Sequence, residues 1–563
     1  KGQKQKISIW PSTLGLAASF DPSLMKKFGE IASIEYRALG ITTALSPQID
    51  IATDPRWYRF DGTMGEDILL STDLARAYVD GFQSTNNDGW GNESVNAMIK
   101  HWPGGGSGEG GRDGHFGYGA YAIYPGNNFE NHLKPFTEGA FKLNGQTKKA
   151  SAVMPYYTVS LGYGDRVGSG FNKYLITDIL RNKFNYDGVL CTDWAITKDV
   201  FSVSLMQGKS WGVENFSEAE RHFIAIDAGM DQFGGNDDYV PVVEAYKIGV
   251  EKYGEEYMRK RFEQSAVRLL INIFNVGLFE NPYLDIDQSK KTVGNDSFVK
   301  EGFNAQLKSI VMLKNSDVLP FSNQKKVYVP ERYNPPTKIF FGMMQTEGGY
   351  EYPIDIKTIS KYFQIVDNPE DADFALLGIK DPDGGNGYDT DDLNNGGNGY
   401  MPINLQYSDY TATNAREKSL SGGSPFENFN NRSYKGKTIK TNNYTDMTLV
   451  RDTKKIMGDK PVILVLEVSR PMVMKEIESY TDVLFISTGV EDKALLEIIS
   501  GKVEPSGLLP FQMPANMETV ESQFEDMSRD MIPHVDKNGN KYDFAFGMNW
   551  NGIIKDHRVN KYK

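Results

Sequence analysis

Strand-length apolar runs ending in polar or aromatic residues, separated by stretches of helical spacing, recur through the first half of the chain and constrain its fold more than any other feature. Asp21-Pro22 ahead of Ser23–Leu39 reads as an N-cap and first-turn proline opening a helix; Gly40 stops it, and Ile41–Leu45 follows as a short strand. The pattern returns as a helix near Ile68–Gln83, a strand near Val95–Ile99, a glycine-rich loop to Gly126, a strand at Ala150–Met154, a helix at Phe171–Phe184 and the run Gly188–Asp193. Such alternation predicts a parallel sheet, and polar residues at the carboxyl ends of several strands predict a barrel with its active site there. Glu256–Phe274, with Met258, Phe262, Ala266, Leu269, Leu270 and Ile273 at helical spacing, is expected to close this unit, with Gly277 just beyond it.

From about Ile310 the alternation restarts. Short apolar runs at 326–330, 338–341, 374–379, 461–468 and 483–487 predict a second α/β unit. The stretch 381–443, rich in Asn and Gly, is too long for a simple connection and is read as functional or disordered. The expected division is a barrel at 1–294, a linker at 295–325 and a second domain at 326–563; 563 residues exceed what one core usually holds.

The net charge of −13 argues against nucleic acid as a partner, because phosphate binding needs concentrated Lys and Arg. The single cysteine, Cys191, excludes an internal disulfide and reads as core. No run approaches the roughly 18 to 20 apolar residues of a membrane span. Gly106–Gly111 satisfies G-x-G-x-x-G but opens no recognisable helix, and the segments at Asp381 and Asp536 lack the sixth-position glycine of a calcium loop. With no C-x-x-C or H-E-x-x-H, metal-independent and cofactor-free chemistry is expected.

Asp193 ends an apolar run and is followed at once by Trp194, so it reads either as a helix cap or as a reacting carboxylate at a cavity mouth. Asp54-Pro-Arg-Trp-Tyr-Arg59, Lys100-His-Trp-Pro-Gly-Gly-Gly, Ser151-Ala-Val-Met-Pro-Tyr-Tyr157 and Gly188-Val-Leu-Cys-Thr-Asp-Trp194 occur in that order. They are followed by Ser309–Asn315, Pro505–Pro510 and Tyr542–Gly547. The ordered set resembles glycoside hydrolase family 3, the β-glucosidase and exo-glucanase family, over nearly the whole chain. The resemblance implies a TIM-type (β/α)8 barrel followed by an α/β sandwich. It begins in mid-barrel, so the first third of the usual barrel, with an upstream aspartate that grips distal sugar hydroxyls, is expected to be absent from this sequence.

The resemblance further implies an exo-acting retaining β-glycosidase releasing glucose, with β-xylosidase, N-acetylglucosaminidase or a non-catalytic sugar-binding protein as alternatives. Retaining enzymes use two carboxyl groups about 5 to 5.5 Å apart, one attacking and one donating a proton. Asp193 is the expected nucleophile; Arg59, Lys100 and His101 match sugar-binding positions of the family, and Arg112 could clamp vicinal hydroxyls with its planar fork. Tyr157 and Trp194 would form an apolar platform for sugar rings. Glu427, on the 381–443 stretch among aromatics that would raise its pKa, is the expected acid, ahead of Glu417, Glu467 and His115. His115 competes because Asp113-Gly-His115 resembles the Asp-x-His dyad of the N-acetylglucosaminidase branch. An oligosaccharide or glycoside substrate, a periplasmic or secreted location and a homodimer are in keeping with the same resemblance.

Overall fold

The computed structural model describes residues 7–321, 324–339 and 344–563. Helix α1 (Pro22–Ala38), preceded by a short helical turn at Thr13–Ala18, starts as expected: the Asp21 carboxylate accepts the N–H groups of Ser23 and Leu24 at 3.0 and 3.2 Å, satisfying donors that have no partner inside the helix. It crosses α2 (Ile68–Gln83) at two glycines. A Cβ on Gly81 would stand 2.3 Å from the Lys26 carbonyl oxygen, and one on Gly29 2.7 Å from that of Tyr78, so the two backbones touch.

Strands β1 (Thr43–Ala44), β2 (Asn96–Trp102), β3 (Ala152–Pro155) and β4 (Val189–Leu190) pair in that order, all parallel. Cys191 bridges Gln232, adding a fifth parallel segment, and the α3 helix (Tyr174–Lys183) between β3 and β4 is wound in wide, π-type turns. Among the described residues this sheet stays open, and a complete (β/α)8 barrel is not formed by them. The consequence is visible on α4 (Glu255–Asn275). Met258 is buried and Leu269 packs on the outward cluster of Met98, Val189 and Cys191, but Leu270, Ile273 and Phe274 are exposed, because the sheet offers that face too little to cover. No helix among the described residues is long and apolar enough to cross a membrane.

The second unit begins inside the expected linker: α5 (Asp296–Ser309) leads into β5 (Val311–Asn315), which belongs to the second sheet. With β6 (Lys326–Tyr328), β7 (Gln364–Ile365), β8 (Phe374–Lys380), β9 (Val462–Glu467), β10 (Val483–Ser487), β11 (Met548–Asn549) and β12 (Gly552–Ile553), the sheet order is β7-β6-β8-β9-β10-β5-β11-β12. The first five in that order are parallel, and the β5 end is antiparallel. The run expected at 338–341 does not join this sheet. Lys338–Ile339 pairs antiparallel with Met344–Gln345, and Phe340 and Phe341 lie outside the described residues.

The unbroken apolar runs of β8, β9 and β10 arise because both sheet faces are buried. Leu377, Leu464 and Leu484 face a core that continues into the first unit, while Leu376, Ile463 and Phe485 face a second core with Ile359, Leu495 and Ile499. The stretch 381–443 is ordered and packs across the seam: Leu420 N–H and Ser421 Oγ both hydrogen-bond the Glu109 carboxylate of the first unit.

Candidate active site

The carboxyl ends of β1 to β4 bring Gln48, Asp50, Arg59, Lys100, His101, Tyr157 and Asp193 to one place. Asp193 follows the β4 run, whose apolar residues anchor it in the sheet. Its residue is 6% exposed, its Oδ1 accepts the Trp194 N–H at 2.8 Å, and its Oδ2 has no hydrogen-bond partner. A buried carboxylate oxygen left without a donor is costly, and such exceptions concentrate where a group has chemistry to do.

Its surroundings are cationic. Lys100, at the end of β2, and the Arg59 guanidinium both interact electrostatically with the cluster; burial, followed by the charge of Arg59, lowers the Lys100 pKa against the opposing pull of Asp193 and Asp50. Arg59 donates to Gln48 Oε1 at 3.1 Å and reaches His101 Nε2 at 3.1 Å. Burial works against the Arg59 charge, but Tyr156, Asp113 and Asp50 outweigh it and hold the guanidinium firmly protonated.

The contact with Arg59 decides the state of His101. A guanidinium nitrogen can only donate, so Nε2 accepts, and Nδ1 carries the proton toward Asp50 Oδ2 at 2.8 Å. Burial and then the Arg59 charge push the imidazole down to about 4, so the ring is neutral at neutral pH. Nε2 lies 3.9 Å from Asp193 Oδ2. Asp50 also accepts the backbone N–H groups of His101 and Gly105 at 3.0 and 2.7 Å. Burial would raise its pKa, but His101, through its ring and its backbone N–H, and then Arg59 outweigh that and lower it. The sequence does not single out Asp50, which has the look of a strand interior in Ile49-Asp-Ile-Ala52; a carboxylate inside that apolar stretch is the signal that could have found it.

Beside this cluster stands a second one. Asp113 accepts from Trp57 Nε1 and the Tyr156 hydroxyl, each at 2.7 Å, and from His115 Nδ1 at 2.5 Å. Its burial is overridden by His115 and Arg59, which hold its carboxyl below the usual carboxylate range. The His115 ring meets the edge of Tyr157 at 4.9 Å between centroids, and the Tyr157 hydroxyl lies beside the Asp193 carboxylate and accepts the Trp194 N–H at 3.1 Å. One tyrosine thus separates His115 from Asp193. Lys209, also not singled out by the sequence, is buried with its Nζ 5.1 Å from the Tyr157 ring centroid, and both Asp193 and Asp113 oppose the burial that lowers its pKa.

The two expected aromatic platforms differ. Tyr157 is buried between His115 and Lys209 and offers no open face, whereas Trp194 is 42% exposed. Its ring rests on Gly234 and Gly235, where a Cβ on Gly235 would stand 2.4 Å from the indole.

Arg112 stands on the seam between the units: its guanidinium is buried, donates to the carbonyl oxygens of Glu109 and Gly387, and lies over the rings of Tyr400 and Tyr434 at 4.8 and 5.0 Å, while its Nη2 has no hydrogen-bond partner. Glu427 is likewise on this seam. Its side chain is 3% exposed, but Oε2 accepts from Ser424 N–H at 3.0 Å and from Arg432 at 3.0 and 2.8 Å, and Oε1 accepts the Tyr400 hydroxyl. None of those partners belongs to the Asp193 cluster. Glu417 is exposed and paired with Lys435 at 3.0 Å; Glu467 is exposed, and Arg470 bonds the Arg56 carbonyl instead of it.

The sheet of parallel strands with this carboxylate pocket, joined to a doubly covered α/β sheet, defines a class of two-domain glycosidase. Residues 1–271 match the glycosyl hydrolase family 3 N-terminal domain and residues 310–550 its C-terminal domain, so the chain belongs to glycoside hydrolase family 3 and is a β-glycosidase. It is 34% identical over 542 residues to a probable β-glucosidase C of Aspergillus oryzae, covering 96% of this chain and 73% of that protein. It is 32% identical over 560 residues to a periplasmic β-glucosidase/β-xylosidase of Dickeya chrysanthemi, covering 96% and 73%. In fold it is similar to the β-glucosidase from Listeria innocua in complex with isofagomine, with a TM-score of 0.68 at 19% identity, covering 96% of this chain and 71% of that one.

Proposed function

We propose that the protein is an exo-acting retaining β-glycosidase that removes glucose from the non-reducing end of β-glucosides by double displacement, with Asp193 as nucleophile. The observation that carries this reading is the buried, unpartnered Asp193 Oδ2 beside Lys100, Arg59 and His101. The free oxygen is placed for attack at the anomeric carbon, and the neighbouring donors can hold sugar hydroxyls, bonds that strengthen toward the oxocarbenium-like transition state. Neutral His101, fixed by Asp50, adds a positioned ring beside the nucleophile. Glucose and xylose are the first sugars to try, given the names of the two relatives, and the Dickeya relative's location makes a periplasmic or secreted setting the one to test.

For the proton donor, what supports His115 over Glu427 is connectivity. His115 touches Tyr157, which touches Asp193, and Asp113 orients its Nδ1, so Nε2 would deliver the proton to the departing oxygen and later withdraw one from water. Glu427 is saturated by Arg432, Tyr400 and Ser424. The test is a panel of aryl β-glycosides with the wild type and with Asp193→Gly. Hydrolysis of the aryl β-glucoside with retained configuration, abolished in the variant and rescued by azide as the α-azide, is expected; inverted product or an active Asp193→Gly would overturn the reading.

A further inference from the structure

Gln48 Nε2 is a buried donor with no partner, and it stands in the Asp193 pocket. The residue is fixed on the sheet: it bridges Lys100 of β2 in parallel, the Ile49 N–H donates to the Lys100 carbonyl at 2.7 Å, and the Lys100 N–H donates to that of Pro47 at 3.1 Å. Alternate residues of an extended strand point the same way. Gln48 and Asp50 therefore reach out together, Asp50 to His101 Nδ1 and Gln48 Oε1 to Arg59 Nη2 at 3.1 Å. A Cβ on Gly62 would stand 2.9 Å from that Oε1, so the carboxamide lies against the turn that follows Arg59. Its neighbour settles the amide's orientation, since a guanidinium only donates and must face the oxygen.

The two acceptors that hold Arg59 are both uncharged: the Gln48 carboxamide and the neutral His101 ring. Arg56, on the same loop, is the contrast. Its guanidinium takes Asp54 at 2.7 Å and Glu521 at 3.1 Å, so its charge is answered at once. Among the described residues Arg59 forms no such ion pair, and these two acceptors take only two of a guanidinium's five N–H groups. A glutamate at position 48 would accept the same N–H through a stronger, charge-assisted bond and would leave no orphan donor. The glutamine does neither; what it provides instead is neutrality. His101 Nε2, in contact with Arg59, is 3.9 Å from Asp193 Oδ2, so the charge left on Arg59 lies one ring from the nucleophile.

We propose that Gln48 is a positioning residue of this pocket, an uncharged brace that fixes Arg59 without neutralising it, so that the guanidinium keeps its charge for a hydroxyl group of the bound sugar. The inference deepens the proposed function and rests on it. A sugar hydroxyl is a weaker acceptor than a carboxylate, so a carboxylate at position 48 would hold the guanidinium for itself.

The test compares Gln48→Glu, Gln48→Met, Arg59→Met and the Gln48→Met, Arg59→Met double variant in the full chain, each by its melting temperature and its kcat/KM on an aryl β-glucoside. Gln48→Glu keeps the shape and the hydrogen bond, so melting is expected at or above the wild-type temperature while kcat/KM falls roughly tenfold or more. Gln48→Met removes the brace and should lower kcat/KM roughly three- to thirtyfold, yet by under about twofold in the Arg59→Met background, because Gln48 acts through Arg59. A merely structural glutamine would instead show activity following stability and losses that add. Gln48→Glu at wild-type kcat/KM, or the full Gln48→Met loss in the Arg59→Met background, overturns the proposal. The same variants titrated with glucose in a calorimeter need no turnover. Hydrolysis indifferent to Gln48→Glu sinks the brace alone, whereas glucose binding weakened by Gln48→Glu in a chain with no hydrolytic activity sinks the proposed function and leaves the brace.

Discussion

Asp193 and Glu427 are both nearly buried carboxylates with an arginine or lysine and tyrosines close by, yet they stand in opposite conditions. Glu427 has donors on both oxygens, from Arg432, Ser424 and Tyr400, whereas Asp193 has one oxygen satisfied by the next backbone N–H and the other by nothing. Composition around a carboxylate therefore does not separate a reactive group from a strut. In the proposed mechanism, what separates them is whether the lone pairs are already spent, because a saturated carboxylate must break its bonds before it can take or give a proton.

The sharpest way to break this contrast is to remove each group. Asp193→Gly should lower turnover of an aryl β-glucoside by roughly a thousandfold or more while leaving the fold intact, and near-normal activity would remove it from its role. His115→Ala should cost on the order of a hundred- to ten-thousandfold on a disaccharide, where the leaving group is poor, yet still release a burst of aryl alcohol from an activated glycoside. Glu427→Gln should leave that leaving-group dependence unchanged and instead lower stability by about 3 kcal/mol, since it strands Arg432 at the seam. A burst in Glu427→Gln and none in His115→Ala would reverse the assignment.

Lys100→Ala sharpens the contrast within the pocket. Loss of one charge-assisted hydrogen bond to the sugar is worth about 1.5–3 kcal/mol. The expected outcome is a roughly ten- to hundredfold fall in kcat/KM. The loss should appear in kcat as well as KM, since the bond tightens toward the transition state; an effect on KM alone would make Lys100 a ground-state contact only.

The fold was legible where burial is two-sided or a cap is local. The runs of β8, β9 and β10 read as strands because every residue must be apolar there, and Asp21 announces α1 because a cap needs only its own neighbours. The place of Asp193 just beyond a buried strand was legible for the same reason, since it stands at the end of such a run. Asp50 was not, since its meaning lies in His101, which the sequence gives no hint of placing beside it. Arg112 shows the limit of spacing: it sits in a glycine-rich motif that looks like a ligand loop, and it also lies over Tyr400 and Tyr434 from the other unit, a contact that spacing cannot show. The exposed face of α4 likewise could not be foreseen from its helical periodicity, because periodicity records what a helix could bury, not what is there to cover it.

The smallest effect sets the pocket against the seam through pH. His101 is pushed down to about 4 from 6.5, chiefly by burial and then by Arg59, so between those values the unfolded chain binds a proton that the native state refuses, and stability rises with pH. Glu66 is the mirror case on the seam. Burial raises it from 4.5 to about 7, against the N–H groups of Gln512 and Arg529 that its carboxylate accepts at 2.6 and 3.0 Å. Between those values the native state keeps a proton that the unfolded chain has lost, so this contribution is fully present below the unfolded value and disappears as pH rises through about 7. Each slope is limited to about 1.4 kcal/mol per pH unit, and from 4.5 to 6.5 the two oppose one another. The wild-type slope of the urea midpoint across that range should therefore lie between those of the two single variants. Glu66→Gln should expose the rise due to His101, and His101→Asn should expose the fall due to Glu66. Any fixed loss from the altered hydrogen bonds would displace these curves without tilting them, so the slope is the quantity to read. Variants that tilt the same way, or not at all, would show that the two groups do not titrate as opposed pairs across the pocket and the seam.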